Sequence, residues 1–245
     1  MDIVAVIPAR YASVRFPGKP LAMIMGKTMI EHVYHRVSAC PRVNHVCVAT
    51  DDIRIVQAVE AFGGSVILTS PDHSSGTDRV AEAAGRLGGD LILNVQGDEP
   101  LIEPEILSLA LEPLIADSSI PIASLKTVMR DPEEWTNPNV VKVVTDARGF
   151  ALYFSRACIP FVREVGEEPV VRFKHIGLYA YRRESLISLA QLPPTPLERA
   201  EKLEQLRALE NGYRIAVPTT DQSPVGVDTP EDLVKVLKQL QRGSC

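Results

Sequence analysis

Surplus positive charge is the first thing this sequence lacks. Its 26 lysines and arginines stand against 31 aspartates and glutamates, a formal net charge of −5 over 245 residues. General nucleic-acid binders carry excess cations to displace phosphate counterions, so the composition excludes that class. Aromatic residues are scarce, at 5% with a single tryptophan, and too dispersed to form base-stacking platforms. The four cysteines, Cys40, Cys47, Cys158 and Cys245, show no C-x-x-C pair and no zinc-ligand spacing. They read as small apolar fillers in a reducing compartment. No apolar run approaches the ~18 residues of a membrane-spanning helix. The first such run, residues 3–7, is one strand long and is followed by Arg10 and Arg15, unlike a signal-peptide core. A soluble, cytoplasmic protein with no membrane partner is the expectation. Also missing are G-x-x-x-x-G-K-[ST] and G-x-G-x-x-G, which excludes an ordinary P-loop ATPase and a typical dinucleotide oxidoreductase. There is no internal repeat and no low-complexity tract.

What remains is an ordinary globular composition, 45% apolar and 23% charged. Its length suits one large α/β domain, or one domain carrying a smaller lobe. Residues 2–8, 43–50, 65–68 and 91–95 are β-branched-rich. The first and last are almost continuously apolar, as in strands covered on both faces. Between them, residues 28–38, 53–62 and 78–87 carry apolar side chains at helical spacing, with glycines near the ends of the last two. Strand–helix alternation of this kind predicts a doubly wound, mostly parallel sheet. After Pro121 the pattern changes. Residues 140–145 and 150–155 flank a hairpin-like turn, Asp146 to Gly149, and residues 172–181 form another strand candidate. These predict antiparallel additions. A helical stretch at 197–210, a strand at 214–217 and a helix capped by Thr229 with Pro230 at its first position complete the reading.

Four segments carry chemistry. Residues 8–20, PARYASVRFPGKP, hold Arg10, Arg15 and Lys19 with no acid. This segment follows the first strand, and open α/β sheets bind ligands beyond the carboxyl ends of their strands. Three cations, Ser13 and the flexible Gly18 suit a polyphosphate, backbone N–H groups supplying direction and cations supplying charge. The plain alternative is a solvated basic loop, against which its position weighs. In NVQGDEP, a buried apolar strand ends in Asp98. A carboxylate there suits Mg²⁺, which is commonly held by one or two carboxylates plus substrate phosphates. Taken alone, it is as ordinary as a turn residue. GVDTPED offers Asp228 as a second carboxylate, provided its segment lies near the first. SSGTDR caps the next helix, and would also present Ser75, Thr77 and backbone groups to a nucleobase with Arg79 nearby.

Together these segments resemble the 3-deoxy-manno-octulosonate (Kdo) cytidylyltransferases. PARYASVRFPGKPL, VATDD, HSSGTDRVAE, NVQGDEP, NPNVVKVV, ALYFSRACIP, KHIGLYAYR, PLERAEKLEQLRALENGYRI and GVDTPEDL run in family order over residues 7–233. KHIGLYAYR with EKLEQLR is the most particular. The 163–171 loop looks short against the family. The resemblance implies a nucleotide-diphospho-sugar transferase-like fold whose antiparallel lobe serves dimerisation and sugar binding. It implies one domain: a nucleotide half over about 1–120, a sugar-acid lobe over about 121–215, and a return to the core over 216–245. It implies transfer of CMP from CTP to the anomeric hydroxyl of Kdo, for lipopolysaccharide synthesis, by a homodimer using Mg²⁺. Arg10, Ser13 and Lys19 would hold the triphosphate, and Ser75, Thr77 and Arg79 would flank cytidine. Gln96 would sit between nucleotide and sugar, and Asp98 and Asp228 would carry the metal. Arg15, Arg156, His175, Tyr179, Glu204 and Gln205 would contact the carboxylate and hydroxyls of the acid.

Plainer roles stand beside these. His175, inside an apolar strand, reads equally as a hydrogen-bonded core histidine, and Glu204 and Gln205 as an exposed helix face. His32 and His35 lie three apart but lack a third ligand. Competing functions are the same transfer to an 8-amino relative of Kdo or to a sialic acid, a metal-dependent glycosyltransferase, and a nucleotide sensor without activity. A glycosyltransferase would show Asp-x-Asp at a strand end, where this chain has Gly97-Asp98-Glu99.

Overall fold

A computed structural model describes residues 1–12, 15–73, 75–164 and 170–243. Ser13, Cys245 and much of the 163–171 loop lie outside the described residues. The chain begins with β1 (Ile3–Ala9), β2 (Met23–Ile24), β3 (Lys27–Thr28), α1 (Met29–Ser38), β4 (His45–Thr50), α2 (Ile53–Ala61) and β5 (Val66–Leu68). It continues through α3 (Gly76–Leu87), β6 (Leu91–Asn94), α4 (Pro104–Ala116), β7 (Ile122–Val128), α5 (Pro132–Thr136), β8 (Lys142–Thr145) and β9 (Ala151–Ser155). Then come β10 (Phe173–Arg182), α6 (Arg183–Ala190), α7 (Pro196–Glu201), α8 (Gln205–Glu210), β11 (Ile215–Ala216), β12 (Thr219–Thr220) and α9 (Pro230–Gly243). Two compact units result, residues 1–108 with 224–245, and residues 109–223.

In the first unit the strands run parallel in the order β6-β1-β4-β5. Alternate residues of a strand point to opposite faces, yet Val4 through Ile7 are all buried, so β1 is covered on both sides. The helices start where the chain offers a cap. Thr28 Oγ1 accepts from Glu31 N at 3.3 Å, Asp52 Oδ1 from Arg54 N at 2.9 Å, and Ser75 Oγ from Asp78 N at 3.1 Å. The amphipathic α9 packs through Val236 onto Ile24, Met29 and Val227, with Phe16 and Leu101 at the margin. That small core returns the C-terminal segment to the basic loop.

The second unit is mixed. β7 pairs antiparallel with β10 and parallel with β11 and β12, while β8 pairs antiparallel with both β9 and β10. The α/β class, mostly parallel with antiparallel strands after Pro121, is therefore the one the chain adopts. Two departures have local causes. The 197–210 stretch is two helices rather than one, because Lys202 turns left-handed at φ 54° and Pro196–Glu201 ends there. The sequence reading assigned nothing to α4 or β7. α4 carries Pro113 within it, and Ile106, Leu107, Ala110, Leu111 and Leu114 bury most of its circumference, so its amphipathic signal is weak.

Candidate active site

The basic loop leaves the carboxyl end of β1 and is turned by Gly18, whose φ of 71° favours glycine. Gly18 N donates to Tyr11 O at 2.9 Å, and a Cβ there would meet the Tyr11 ring at 3.1 Å. Lys19 opens a short helical turn, residues 19–21, whose middle residue Pro20 is buried and anchors it. The second approach is at Gly97, where a Cβ would sit 3.0 Å from Pro8 O. A glycine lets the GDE turn after β6 lie this close to the end of β1 without displacing the Pro8 carbonyl. Asp98 is thereby placed beside the loop.

Asp228 arrives from the far end of the sequence. Val227, fully buried in the α9 core, donates its backbone N–H to Asp98 O at 2.8 Å. Both carboxylates then reach one ammonium: Lys19 Nζ lies 2.6 Å from Asp98 Oδ2 and 3.4 Å from Asp228 Oδ1. Arg15 also meets Asp228 Oδ1, at 3.1 Å. Around them opens a cleft of about 330 Å³, lined by Arg10, Arg15, Lys19, Arg79, Gln96, Asp98 and Asp228. The proximity that sequence left open is thus realised.

The residues expected to meet a nucleotide are not all poised in the same way. Arg10 donates to the carbonyls of His73 and Ser75. Ser75 caps α3 with its hydroxyl, and Thr77 sits in that helix's first turn. Arg79 is fully buried, bonded to Thr69 Oγ1 and, at 2.7 Å, to Asp51 Oδ2, while still lining the cleft. Asp51 had no role in the sequence reading. Its signal was the VATDD motif, an acid immediately after a buried strand.

The donor set fits a divalent cation. Two carboxylates already converge on a single positive charge, the arrangement a hard cation with oxygen ligands requires. Beside them Glu99 Oε2 is buried without a hydrogen-bond partner among the described residues, and burial together with the neighbouring Asp98 pushes the Glu99 carboxyl up to about 8. Among the described residues no group of three or more His, Cys, Asp or Glu side chains is placed to hold a metal ion, so the protein's own carboxylates here are the pair Asp98 and Asp228. His32 Nε2 is engaged by Ile24 O at 2.8 Å.

The second unit gathers most of the residues expected for the sugar acid. The rings of His175 and Tyr179 lie 5.3 Å apart, and Phe154 meets His175 edge-on at 4.9 Å. Burial pulls the His175 imidazole down to about 3, so the ring is neutral and brings hydrogen-bonding nitrogens rather than charge. Burial, with Tyr181 and Glu204 beside it, raises the Tyr179 phenol, so it keeps its proton. Gln205, at the start of α8, is buried. Arg156 is held by carbonyls: Nε to Glu201 O at 2.7 Å, Nη1 to Pro138 O at 2.9 Å, and Nη2 to Lys202 O at 3.3 Å. Sequence reasoning missed Lys142. It is fully buried, and its Nζ donates to the carbonyls of Asn137, Val140 and Arg156 at 2.7, 2.9 and 3.1 Å. Its only signal was a lysine within an otherwise apolar run, NVVKVV.

Cations and paired acids gathered at the carboxyl edge of a parallel sheet suit a phosphate-bearing ligand, and the family match makes the class a nucleotidyltransferase. The cytidylyltransferase family matches residues 4–215. The chain belongs within it to the family of 3-deoxy-manno-octulosonate cytidylyltransferases. The enzyme of that name from Syntrophotalea carbinolica is 57% identical over 98% of this chain and 99% of its own length. The one from Geobacter metallireducens is 54% identical over 99% of each chain. A solved CMP:2-keto-3-deoxy-manno-octonic acid synthetase, complexed with CTP, is 45% identical, with a TM-score of 0.94 over 99% of this chain and 100% of that one. No helix among the described residues is long and apolar enough to cross a membrane.

Proposed function

We propose that this chain binds CTP in the cleft of its first unit and transfers CMP to the anomeric hydroxyl of Kdo, releasing pyrophosphate. The observation that carries the reading is the convergence of Asp98 and Asp228 on Lys19 beside Arg10 and Arg15. Asp98 and Asp228 would hold Mg²⁺, which when bound supplies charge neutralisation and lowers the pKa of a coordinated hydroxyl. Lys19, freed from its two carboxylates, Arg10 and Ser13 would bind the triphosphate, and Ser75, Thr77, Arg79 and Gln96 would position the nucleoside. The anomeric oxygen bonds to the α-phosphorus as the α–β bridging bond breaks. The bridging oxygen keeps the electron pair and departs with pyrophosphate, and the hydroxyl proton passes to water. A loose transition state of this kind asks for positioning and charge more than for a general base. No His or Glu in the cleft is needed for that task.

On the acid, Arg15 would supply charge, and Gln96, His175, Tyr179, Glu204 and Gln205 would supply hydrogen bonds. Arg156, tied to three carbonyls, would act through the loop it braces. Two copies are the expected assembly. The second unit leaves Leu152, Phe161, Val170 and Val171 exposed, an apolar set that a second chain would cover. The deciding experiment is pyrophosphate release with each of the four nucleoside triphosphates, with and without Kdo. Release confined to CTP plus Kdo is the expected result. Faster turnover of an 8-amino analogue or of sialic acid would reassign the acid.

A further inference from the structure

β7 and β10 slip out of register at one point. Leu125 pairs with Ile176 and Ala123 pairs with Ala180, so Ser124 alone faces Gly177, Leu178 and Tyr179. The consequence shows in the rings. Four residues along a regular strand span ~13 Å, yet the His175 and Tyr179 rings are 5.3 Å apart. The bulge folds β10 so that two side chains that would otherwise be distant become neighbours.

Ser124 sits inside that bulge, fully buried between Ala123 and Leu125. A hydroxyl buried among apolar groups must be hydrogen-bonded, and this one meets three groups: Leu178 O at 2.9 Å, Ile176 O at 3.1 Å and His175 Nε2 at 2.8 Å. A hydroxyl has one proton to give, and carbonyls can only accept it. Given to either bulge carbonyl, that proton leaves the ring to donate from Nε2 to Ser124 Oγ. A neutral imidazole protonated at Nε2 leaves Nδ1 as a bare acceptor.

We infer that Ser124 is a positioning residue for the sugar acid: it holds the bulge that pairs His175 with Tyr179 and fixes the His175 proton on Nε2. This rests on the reading that His175 contacts the acid. An Nδ1 acceptor beside a phenol that keeps its proton forms an acceptor–donor pair suited to neighbouring sugar hydroxyls. If Ser124 were no more than a satisfied core hydroxyl, its removal would lower stability and leave both the tautomer and Kdo binding alone.

The test uses the intact chain as wild type, Ser124→Ala, Ser124→Thr and His175→Gln. The KM for Kdo and for CTP are measured, and the ¹⁵N–¹H long-range couplings of labelled histidine are recorded. The five histidines are sorted by the signal that His175→Gln removes. The wild type is expected to show the Nε2–H pattern. Ser124→Ala is expected to lose it and to raise the KM for Kdo ~10-fold, the worth of about one hydrogen bond. The KM for CTP is expected to stay within about twofold, and Ser124→Thr to restore both readouts. An Nδ1–H signal in the wild type overturns the inference even if Ser124→Ala does not fold. So does a Ser124→Ala protein with unchanged tautomer and unchanged KM for Kdo. An unchanged KM for Kdo in His175→Gln, with the Nε2–H pattern present in the wild type, would instead remove the assignment of His175 to the acid and with it the role of Ser124 in binding.

Discussion

The charge cluster around Lys19 in the first unit and the cluster around His175 in the second hold their polar groups by different means. In the first, full charges stand at the edge of an open cleft and neutralise one another: Lys19 with Asp98 and Asp228, and Arg15 with Asp228. In the second, the conspicuous groups are held within the fold: Lys142 is fully buried, and His175, Tyr179 and Arg156 are partly so. His175 is neutral, Tyr179 keeps its proton, and Lys142 and Arg156 give their hydrogens to backbone carbonyls. On the proposed reading the difference is one of ligand chemistry. A triphosphate with its metal would call for exchangeable charge, with Lys19 leaving its carboxylates as the ligands arrive. A sugar acid with several hydroxyls would call for donors and acceptors held in fixed directions, which burial favours.

The comparison breaks most visibly if the charges of the first unit are dispensable. Asp98→Asn and Asp228→Asn are each expected to lower kcat by about 10²–10³-fold, the usual scale for losing one charge-stabilising group. Thermal melting should scarcely move, because both side chains are partly exposed. Near-normal turnover in either variant, measured by pyrophosphate release with Mg²⁺, would contradict the mechanism. In the second unit the expectation reverses, with stability affected before activity. Lys142→Met leaves three carbonyls without their donor and is expected to destabilise the protein by about 1–3 kcal/mol in urea titration. An unchanged midpoint would show that water replaces the ammonium.

Smaller effects sharpen the contrast. Gly18→Ala forces a side chain into a left-handed turn at φ 71° and against the Tyr11 ring. About 1–2 kcal/mol of strain is expected there, read as a raised KM for CTP with the KM for Kdo little changed. Equal shifts in both would place the loop's influence beyond the triphosphate. The smallest effect is a pH slope. Folded His175 titrates near 3 and the unfolded side chain near its ordinary 6.5. Between those values the unfolded chain binds the extra proton, so this contribution to stability is complete above about pH 6.5 and is lost as pH falls. From pH 7 to about 5.5 the loss should be about 1 kcal/mol, at no more than ~1.4 kcal/mol per pH unit. Comparison of unfolding curves with His175→Gln, which should lack this component, isolates it.

Much of this was legible in the residues, and the unread parts share a cause. The parallel strands of the first unit announced themselves through continuous apolar runs, and its helices through Thr28, Asp52 and Ser75 at their caps. These are local signals. α4 escaped because a helix buried nearly all round has little periodicity, and the break at Lys202 escaped because a left-handed lysine carries no mark in the sequence. Ser124 gave no signal at all, since its importance depends on a register slip in a different strand. Arg156 reads as a carboxylate ligand by type, and the three carbonyls that hold it, brought from residues 138, 201 and 202, have no local mark in the sequence.

By itself the sequence determined the α/β class, the cationic loop after the first strand, the acid in the turn after β6 and the family to which these belong. Each of those follows from neighbours in the chain: apolar runs, caps, and charges a few residues apart. Tertiary structure alone decided that Asp228 meets Lys19, 209 residues away in the chain, and that His175 meets Tyr179 across a bulge. The first is settled by Val227 packing into the α9 core and bonding to Asp98, the second by a ladder slip held open by one buried hydroxyl. Contacts of that kind arise from packing between distant segments, and no local pattern of residues encodes them.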